Sequence, residues 1–381
     1  MVEKILASLL LFGIPLFVSA QKDYKGKIVD AKTGNPVPYV NIGIVDRGIG
    51  TVSDEDGIFH LELTQEILNT EEEVLFSSLG YEPLKIPIPN LEYRYNDYPL
   101  INLQPSVVEL QEVVVSNIDS EFVDQNVGYR NLGENIFGYW KENGALGGEL
   151  ATRIHVKKGL RKLNSLGFEI WSSTSDSVLL RINIYDIEGP FGAPKTNLNT
   201  SKKSIIYMVK KGQRFGRVDL NPYSIFVRND FVASLELLEV YGGEELGLVL
   251  AASSYETDSF RKYASQDKWE KLPNSAMAFF LESSFMVPTK TAERINKRQE
   301  KKKKKLAMIS GFVINRGRML SDVVIINMRT KEQSKSNENG RYSIHAKEKD
   351  VLSFTLNGFE TRYYRVSKKS TLNANLQLPP Q

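Results

Sequence analysis

Thr51-Val52-Ser53-Asp54-Glu55-Asp56-Gly57-Ile58-Phe59-His60-Leu61-Glu62-Leu63 reads as strand, turn, strand. The tetrapeptide Asp54-Glu55-Asp56-Gly57 supplies the turn, with Gly57 where φ is positive, and Phe59, Leu61 and Leu63 then alternate onto one face. Outward from this hairpin lie Gly26, Val40-Asn41-Ile42, Val74-Leu75-Phe76 and Gly80-Tyr81-Glu82. Short β-branched runs separated by Gly, Asn, Asp and Pro are what strands and tight turns require. Gly80 permits a bend after its strand, and the ring of Tyr81 closes the core of a very small sandwich.

The same order recurs near the other end of the chain. Gly311, Val324-Ile325-Ile326-Asn327, Ser336-Asn337-Glu338-Asn339-Gly340-Arg341-Tyr342, Val351-Leu352 and Gly358-Phe359-Glu360 repeat it, with Tyr342 and Ile344 in period-2 alternation. The first Gly and the turn Gly are 31 residues apart in one copy and 29 in the other, so the register survives small loop changes. A repeated small module points to scaffolding or binding before catalysis.

Through Gly26-Lys27-Ile28-Val29-Asp30, Thr33-Gly34-Asn35-Pro36-Val37-Pro38, Val40-Asn41-Ile42, Gly50 to Phe59 and Gly80-Tyr81-Glu82, the chain resembles the carboxypeptidase regulatory-like domain, a transthyretin-like seven-stranded β-sandwich. In the second copy Asn315-Arg316-Gly317-Arg318 replaces the usual Asp, Thr-Gly and Pro elements. The resemblance implies a non-catalytic accessory module, common in secreted proteins of Bacteroidetes-type bacteria and at the front of TonB-dependent receptors. Leu110-Gln111-Glu112-Val113-Val114-Val115 is similar to the segment that follows the module in those receptors. The remaining chain is too short to supply a receptor plug and barrel.

Lys4, the apolar run Ile5 to Val18 and Val18-Ser19-Ala20 have the layout of a signal peptide over residues 1–20, with Gln21 as the mature start. The expectation is an exported protein, periplasmic or outer-membrane-associated, with no transmembrane segment in the mature chain, since no later stretch reaches about 18 apolar residues. With 381 residues the chain holds two or three domains of about 150 residues each. We divide it into a regulatory-like domain at 21–116, a central β-sandwich at 117–292, a basic linker at 293–305 and a divergent second regulatory-like domain at 306–381. Hydrophobic content of 41% and charged content of 25% argue against wholesale disorder. The absence of Cys excludes disulfides, thiolate nucleophiles and Cys-based metal sites.

The net charge of +3 is uneven, because residues 293–305 hold Arg294, Lys297, Arg298 and Lys301 to Lys305 against Glu293 and Glu300. We read this as a solvated linker or frayed helix, since like charges repel and resist burial. A contact with anionic lipid or lipopolysaccharide is the sharper reading. Nucleic acid is not expected, given export and a near-neutral remainder.

Residues 117–292 read as a larger jelly-roll-like sandwich, making the fold class all-β. Strand candidates are 150–156, 166–172, 178–185, 204–209, 223–227, 231–240, 246–252 and 277–282. Leu180, Ile182 and Ile184 alternate with Arg181, Asn183 and Tyr185; Phe231, Ala233, Leu235 and Leu237 alternate with Ser234 and Glu236, as in a sheet with one solvated face.

His60, His155 and His345 are read as strand-surface residues, and no hydrolase elbow, Walker loop or His-Glu-x-x-His is present. No catalytic residue, metal site or cofactor is expected. Glu169, Asp176, Asp186, Glu188, Glu236, Glu239, Glu244 and Glu245 are candidates for a glycosidase pair only in the weak sense that sequence hides their separation. Asp54-Glu55-Asp56-Gly57 lacks the later bidentate Glu of a calcium loop and is read as turn chemistry. The candidate ligand-binding residues are Trp140, Trp171 and Trp269, whose flat faces suit a sugar ring or a protein anchor, with Trp171 placed opposite Phe168 and Ile170. Two functions follow: an exported non-catalytic binding or assembly protein presenting sandwich surfaces to an envelope protein or glycan, or a carbohydrate-active protein that binds or hydrolyses a glycan through its central domain.

Overall fold

The computed structural model describes residues 21–94, 99–106, 119–131, 134–140, 146–242, 246–304, 307–367 and 371–379. The expected leader at 1–20 and the segment Leu110 to Val115 lie outside them. The chain is all-β, and its three largest apolar cores among the described residues are separate from one another.

At the N-terminal end, Gln21–Asp30 pairs antiparallel with Ile58–Thr64 and parallel with Leu100–Leu103. A second sheet runs Ile49–Val52, Asn41–Ile44, Glu73–Ser77, Leu84–Pro87. Ile28, Phe59, Leu61, Leu63 and Phe76 fill the space between the two sheets. The turn forms as its residue types dictate: Asp54 Oδ1 accepts the backbone N–H of Asp56 at 2.9 Å and of Ile58 at 2.8 Å, and Gly57 has φ +73°.

The C-terminal residues repeat this strand arrangement. Ala307–Asn315 pairs antiparallel with Arg341–Ala346 and parallel with Ala374–Asn375, and a four-stranded sheet runs Gln333–Lys335, Val324–Asn327, Val351–Thr355, Arg362–Arg365. Asn337 Oδ1 takes the N–H groups of Asn339 and Arg341, Gly340 has φ +69°, and Val323 N donates to Ser336 Oγ as Val40 N does to Ser53 Oγ. These bonds set Val40 against Val323, and so Asn41 against Val324. The missing Asp, Thr-Gly and Pro elements also have a physical account. Asn315 pairs with Arg318 around Arg316 (φ 45°) and Gly317 (φ 81°), a two-residue left-handed hairpin in place of the longer loop that Asp30 Oδ1 caps in the first copy.

Between them stand two antiparallel sheets. One runs Ile136–Tyr139, Leu248–Ser253, Arg161–Ser173, Phe279–Pro288, Ser120–Asp124, with four short strands attached; the other runs Ile205–Lys210, Ser177–Tyr185, Phe231–Tyr241, Glu149–Ile154, Asp258–Lys262, Glu270–Pro273. Phe168, Phe231 and Phe279 are fully buried between them, each worth roughly 1.5–3 kcal/mol over exposure. The strand expected at 223–227 shortens to Phe226–Val227, because Pro222 and the left-handed Ser224 (φ 48°) make a short 3₁₀ turn first.

The basic segment takes the helical one of its two expected forms, and the helix starts before 293, at Thr289, continuing the last central strand. Ala292 and Ile295 fix its first turns against Val123, Val287 and Phe285. No helix among the described residues is long and apolar enough to cross a membrane.

Candidate functional site: a cleft between two sheets

Both end modules turn the same sheet toward the central sandwich, one on each of its outer faces. On the six-stranded side the approach is close. Gly43 and Gly50 are cross-strand partners lying over the Ser265 carbonyl oxygen, where an added Cβ would come within 2.7 and 2.3 Å of that atom. Gln266 donates to Ser77 Oγ at 2.7 Å, its carbonyl accepts Asp46 N at 3.0 Å, and Val52 packs with Leu179 and Leu238. Arg181 donates to the Tyr39 carbonyl at 2.7 Å and to Asn41 Oδ1 at 2.5 Å.

This docking overturns one expectation. Glu236 and Ser234, assigned to a solvated face, are fully buried, as are Arg181 and Asn183 for all but a few per cent of their surface. Their polarity is absorbed in a charge network. Arg181 forks onto both oxygens of Glu236 at 2.8 and 2.6 Å, and Asn183 adds a third bond at 2.8 Å. Glu149, paired in register with Glu236, holds Lys262 Nζ at 2.5 Å and the hydroxyls of Ser234 and Tyr185. Burial alone would raise Glu236, but the charge and hydrogen bonds of Arg181 hold it below the usual carboxylate range. Burial and the negative charge of Glu149 push the Tyr185 phenol well above its ordinary value. Each carboxylate has its own cation, so this pair is a structural lock between strands. Glu149 escaped the sequence reading; an acid, an Arg and an Asn alternating within otherwise apolar strands was the available signal.

On the nine-stranded side the positions equivalent to Gly43 and Gly50 are Ile326 and Gln333, again cross-strand partners. Their side chains occupy the space the glycines leave empty, so the C-terminal sheet stands off and a cavity of about 540 Å³ opens beneath it, adjoined by one of about 240 Å³. That larger volume lies within the range of small-molecule sites. The floor is Glu169, Trp171, Phe215 and Arg130; the roof is Val324, Ile326, Ser353, Thr355 and Tyr363. Hydrogen bonds cross the gap from Tyr363 O–H to Glu169 Oε2 at 3.0 Å and from Arg217 to Gln333 Oε1 at 3.2 Å.

Glu169 is the chemically unusual group. Burial, only partly offset by Arg130 and by the Tyr363 hydroxyl, pushes its carboxyl up to about 7. The Arg130 guanidinium lies 3.4 Å from the Phe280 ring centroid and 3.7 Å from Glu169 Oε1, a desolvated cation stacked on an aromatic face. Arg130 Nε and Glu169 Oε1 make no hydrogen bond within the described chain. Burial and the neighbouring Arg130 lower the Lys331 ammonium to about 8.

The three tryptophans separate. Trp171 is the extra residue of a β-bulge, where the register slips between Ile170 and Ser172, and it lines the cleft. Trp140 is corrected: its ring is 6% exposed within the central core and its indole N–H donates to the Gly148 carbonyl at 2.9 Å, leaving no face for stacking. Trp269 packs edge-on to Tyr185 and Phe260 on the other sheet, with Lys262 Nζ 4.5 Å from its centroid. His60 faces Asp23, while His155 meets Asp230 and His345 meets Glu332, both at 2.8 Å.

A family model described as the CarboxypepD_reg-like domain matches residues 24–115. No curated protein matches the chain. Among solved structures, the chain is similar to the major pilin BcpA of Bacillus cereus at 9% identity, covering 93% of this chain and 98% of that one with a TM-score of 0.15. It is likewise similar to the full-length major pilin SpaD of Corynebacterium diphtheriae at 9% identity, covering 95% and 98% with a TM-score of 0.15. Scores this low carry no argument about this chain.

Proposed function

We propose that the chain is an exported, non-catalytic binding or assembly protein of a bacterial envelope, periplasmic or outer-membrane-associated, with regulatory-like domains at 21–116 and 306–381 flanking a central sandwich at 117–292. The observation that carries this reading is the contrast between the two docked faces. One sheet of the central sandwich is met closely through a glycine-lined contact and a closed ion network, whereas the other carries an open cleft of about 540 Å³ with the exposed rings of Phe137 and Tyr139 on the same sheet. A protein or a glycan of the envelope is the occupant.

The native chain has no cysteine, so Asn357→Cys at the cleft rim places a single photo-cross-linker there. With the full chain expressed in a bacterial host, we expect an envelope-located product beginning at Gln21 and a discrete cross-linked adduct from this position. The same label on exposed Thr33 of the first module should give none. A cytosolic product that keeps Met1 contradicts export, and adducts of equal yield from both labels contradict a role for the cleft.

The hydrolytic alternative has one observation in its favour: a carboxyl titrating near 7 suits a general acid. Burial, only partly offset by Arg130 and Tyr363, accounts for that shift without invoking catalysis. Release of reducing sugar by the purified chain, abolished in Glu169→Gln, would select this alternative.

A further inference from the structure

We infer that the cleft takes a neutral glycan chain, which lies across Tyr139, Phe137 and Trp171 and enters between the sheets; this deepens the binding reading above and rests on it. Phe137 and Tyr139 sit on the edge strand Ile136–Tyr139 and are 49% and 45% exposed. They alternate with Gly138, which faces the core side chains Met277 and Leu150, so both rings stand on the outer face of the nine-stranded sheet. Ring centroids step 6.1 Å from Tyr139 to Phe137 and 5.4 Å from Phe137 to Trp171. Phe215, stacked on Phe280 at 5.2 Å, lines the same cleft floor as Trp171. Exposed aromatic rings grouped this way mark an interaction surface. A row of them at steps comparable to one sugar unit suits a pyranose chain, whose C–H faces stack on rings while its hydroxyls point sideways.

The polar setting agrees. The cleft is lined by charges of both signs, Arg130 and Arg214 with Glu134, Glu169 and Glu360, and Arg217 pairs with Glu282 in the adjoining cavity, so no single-sign field selects an ionic ligand. Exposed Asn135 and Asn357 at the mouth offer uncharged amides, each able to donate and accept toward vicinal hydroxyls. A peptide added to the free edge of Ile136–Tyr139 would lie in the plane of the sheet and leave the rings on its face unused. Sequence placed Trp171 on an exposed face, but the bulge that turns it toward Phe137 is a property of pairing.

The test uses the full chain and a panel of cellohexaose, laminarihexaose, xylohexaose, mannohexaose, maltohexaose and a polygalacturonate hexamer, read by tryptophan fluorescence and affinity electrophoresis. We expect saturable binding of a neutral hexamer, weaker binding of its disaccharide, and a loss of about tenfold or more in Trp171→Ala, the usual consequence of truncating an aromatic anchor, at unchanged Tm. Phe137→Ala, which removes a half-exposed ring, should weaken binding without unfolding. Failure of every neutral hexamer, preference for the acidic one, or equal binding by Trp171→Ala overturns the proposal. If the Asn357→Cys label still yields a protein adduct when no saccharide binds, the cleft stands as a binding site and the glycan falls; if neither occurs, both readings fall.

Discussion

Gly50→Val should separate the N-terminal module from the central sandwich. An added Cβ at position 50 would lie 2.3 Å from the Ser265 carbonyl oxygen and 2.8 Å from the Ile42 carbonyl oxygen, both backbone atoms that cannot rotate aside. Overpacking of this kind costs about 1–3 kcal/mol in a rigid site. Relief requires the module to back away, which forfeits the bonds from Arg181 to Tyr39 and Asn41, each roughly 1.5–3 kcal/mol as charged hydrogen bonds. Whether the module stays docked under strain or backs away, the interface loses at least about 1–3 kcal/mol, and its cooperative unfolding with the sandwich should weaken. Calorimetry should show the joint unfolding of the module and the central sandwich split into two transitions, the earlier belonging to the module. The control is Gln333→Val, which puts the same residue at the equivalent position beside the cleft, where a side chain already stands, only the bond from Arg217 is lost and the effect should stay within about 0.5 kcal/mol. A Gly50→Val chain that unfolds like the wild type, or a Gln333→Val chain as damaged as Gly50→Val, would refute the argument that glycines set the approach distance.

Arg181→Met should cost about 3–5 kcal/mol, because it strands Glu236 without its cation. In the wild type, Glu236 contributes stability above its unfolded pKa that is lost as pH falls through its depressed folded value, so the deficit of the variant should shrink on acidification below about pH 4.5 in urea titrations, and Arg181→Met with Glu236→Leu should recover most of it. Glu169 behaves oppositely: its folded value of about 7 exceeds the ordinary 4.5, so its contribution is fully present below pH 4.5 and falls by up to about 3 kcal/mol as pH rises through 7. Glu169→Gln should flatten that part of the stability profile, and an unchanged profile would place the proton elsewhere. Phe191 is 90% exposed with φ 56°, so Phe191→Gly should raise stability by about 1 kcal/mol in denaturant melts; a loss instead would mean the ring packs against something in solution.

The turn chemistry and strand alternation of the first module were legible because they are local: Asp54, Gly57 and Phe59 act within a few residues of one another. The central strands could be read for the same reason, and their apolar halves fill the core as expected. What alternation could not reveal is that a module docks on each outer face of the sandwich and covers part of it. Arg181, Ser234 and Glu236 have the polarity of a solvated face, and only the docking of a module from a distant part of the chain buries them. Trp140 and Trp171 look alike in sequence, yet one satisfies its N–H inside the core and the other sits on a bulge. Ile326 and Gln333, which hold the cleft open, have no meaning until they are superposed on Gly43 and Gly50.

Filling the cleft tests the central claim most directly. Thr355→Trp projects an indole from the C-terminal sheet into the gap above Glu169 and Trp171, at a position with room for it. With Tm unchanged, the account predicts that cross-linking from Asn357→Cys and saccharide-induced fluorescence are both lost; a filled cleft that still binds as the wild type does would contradict it.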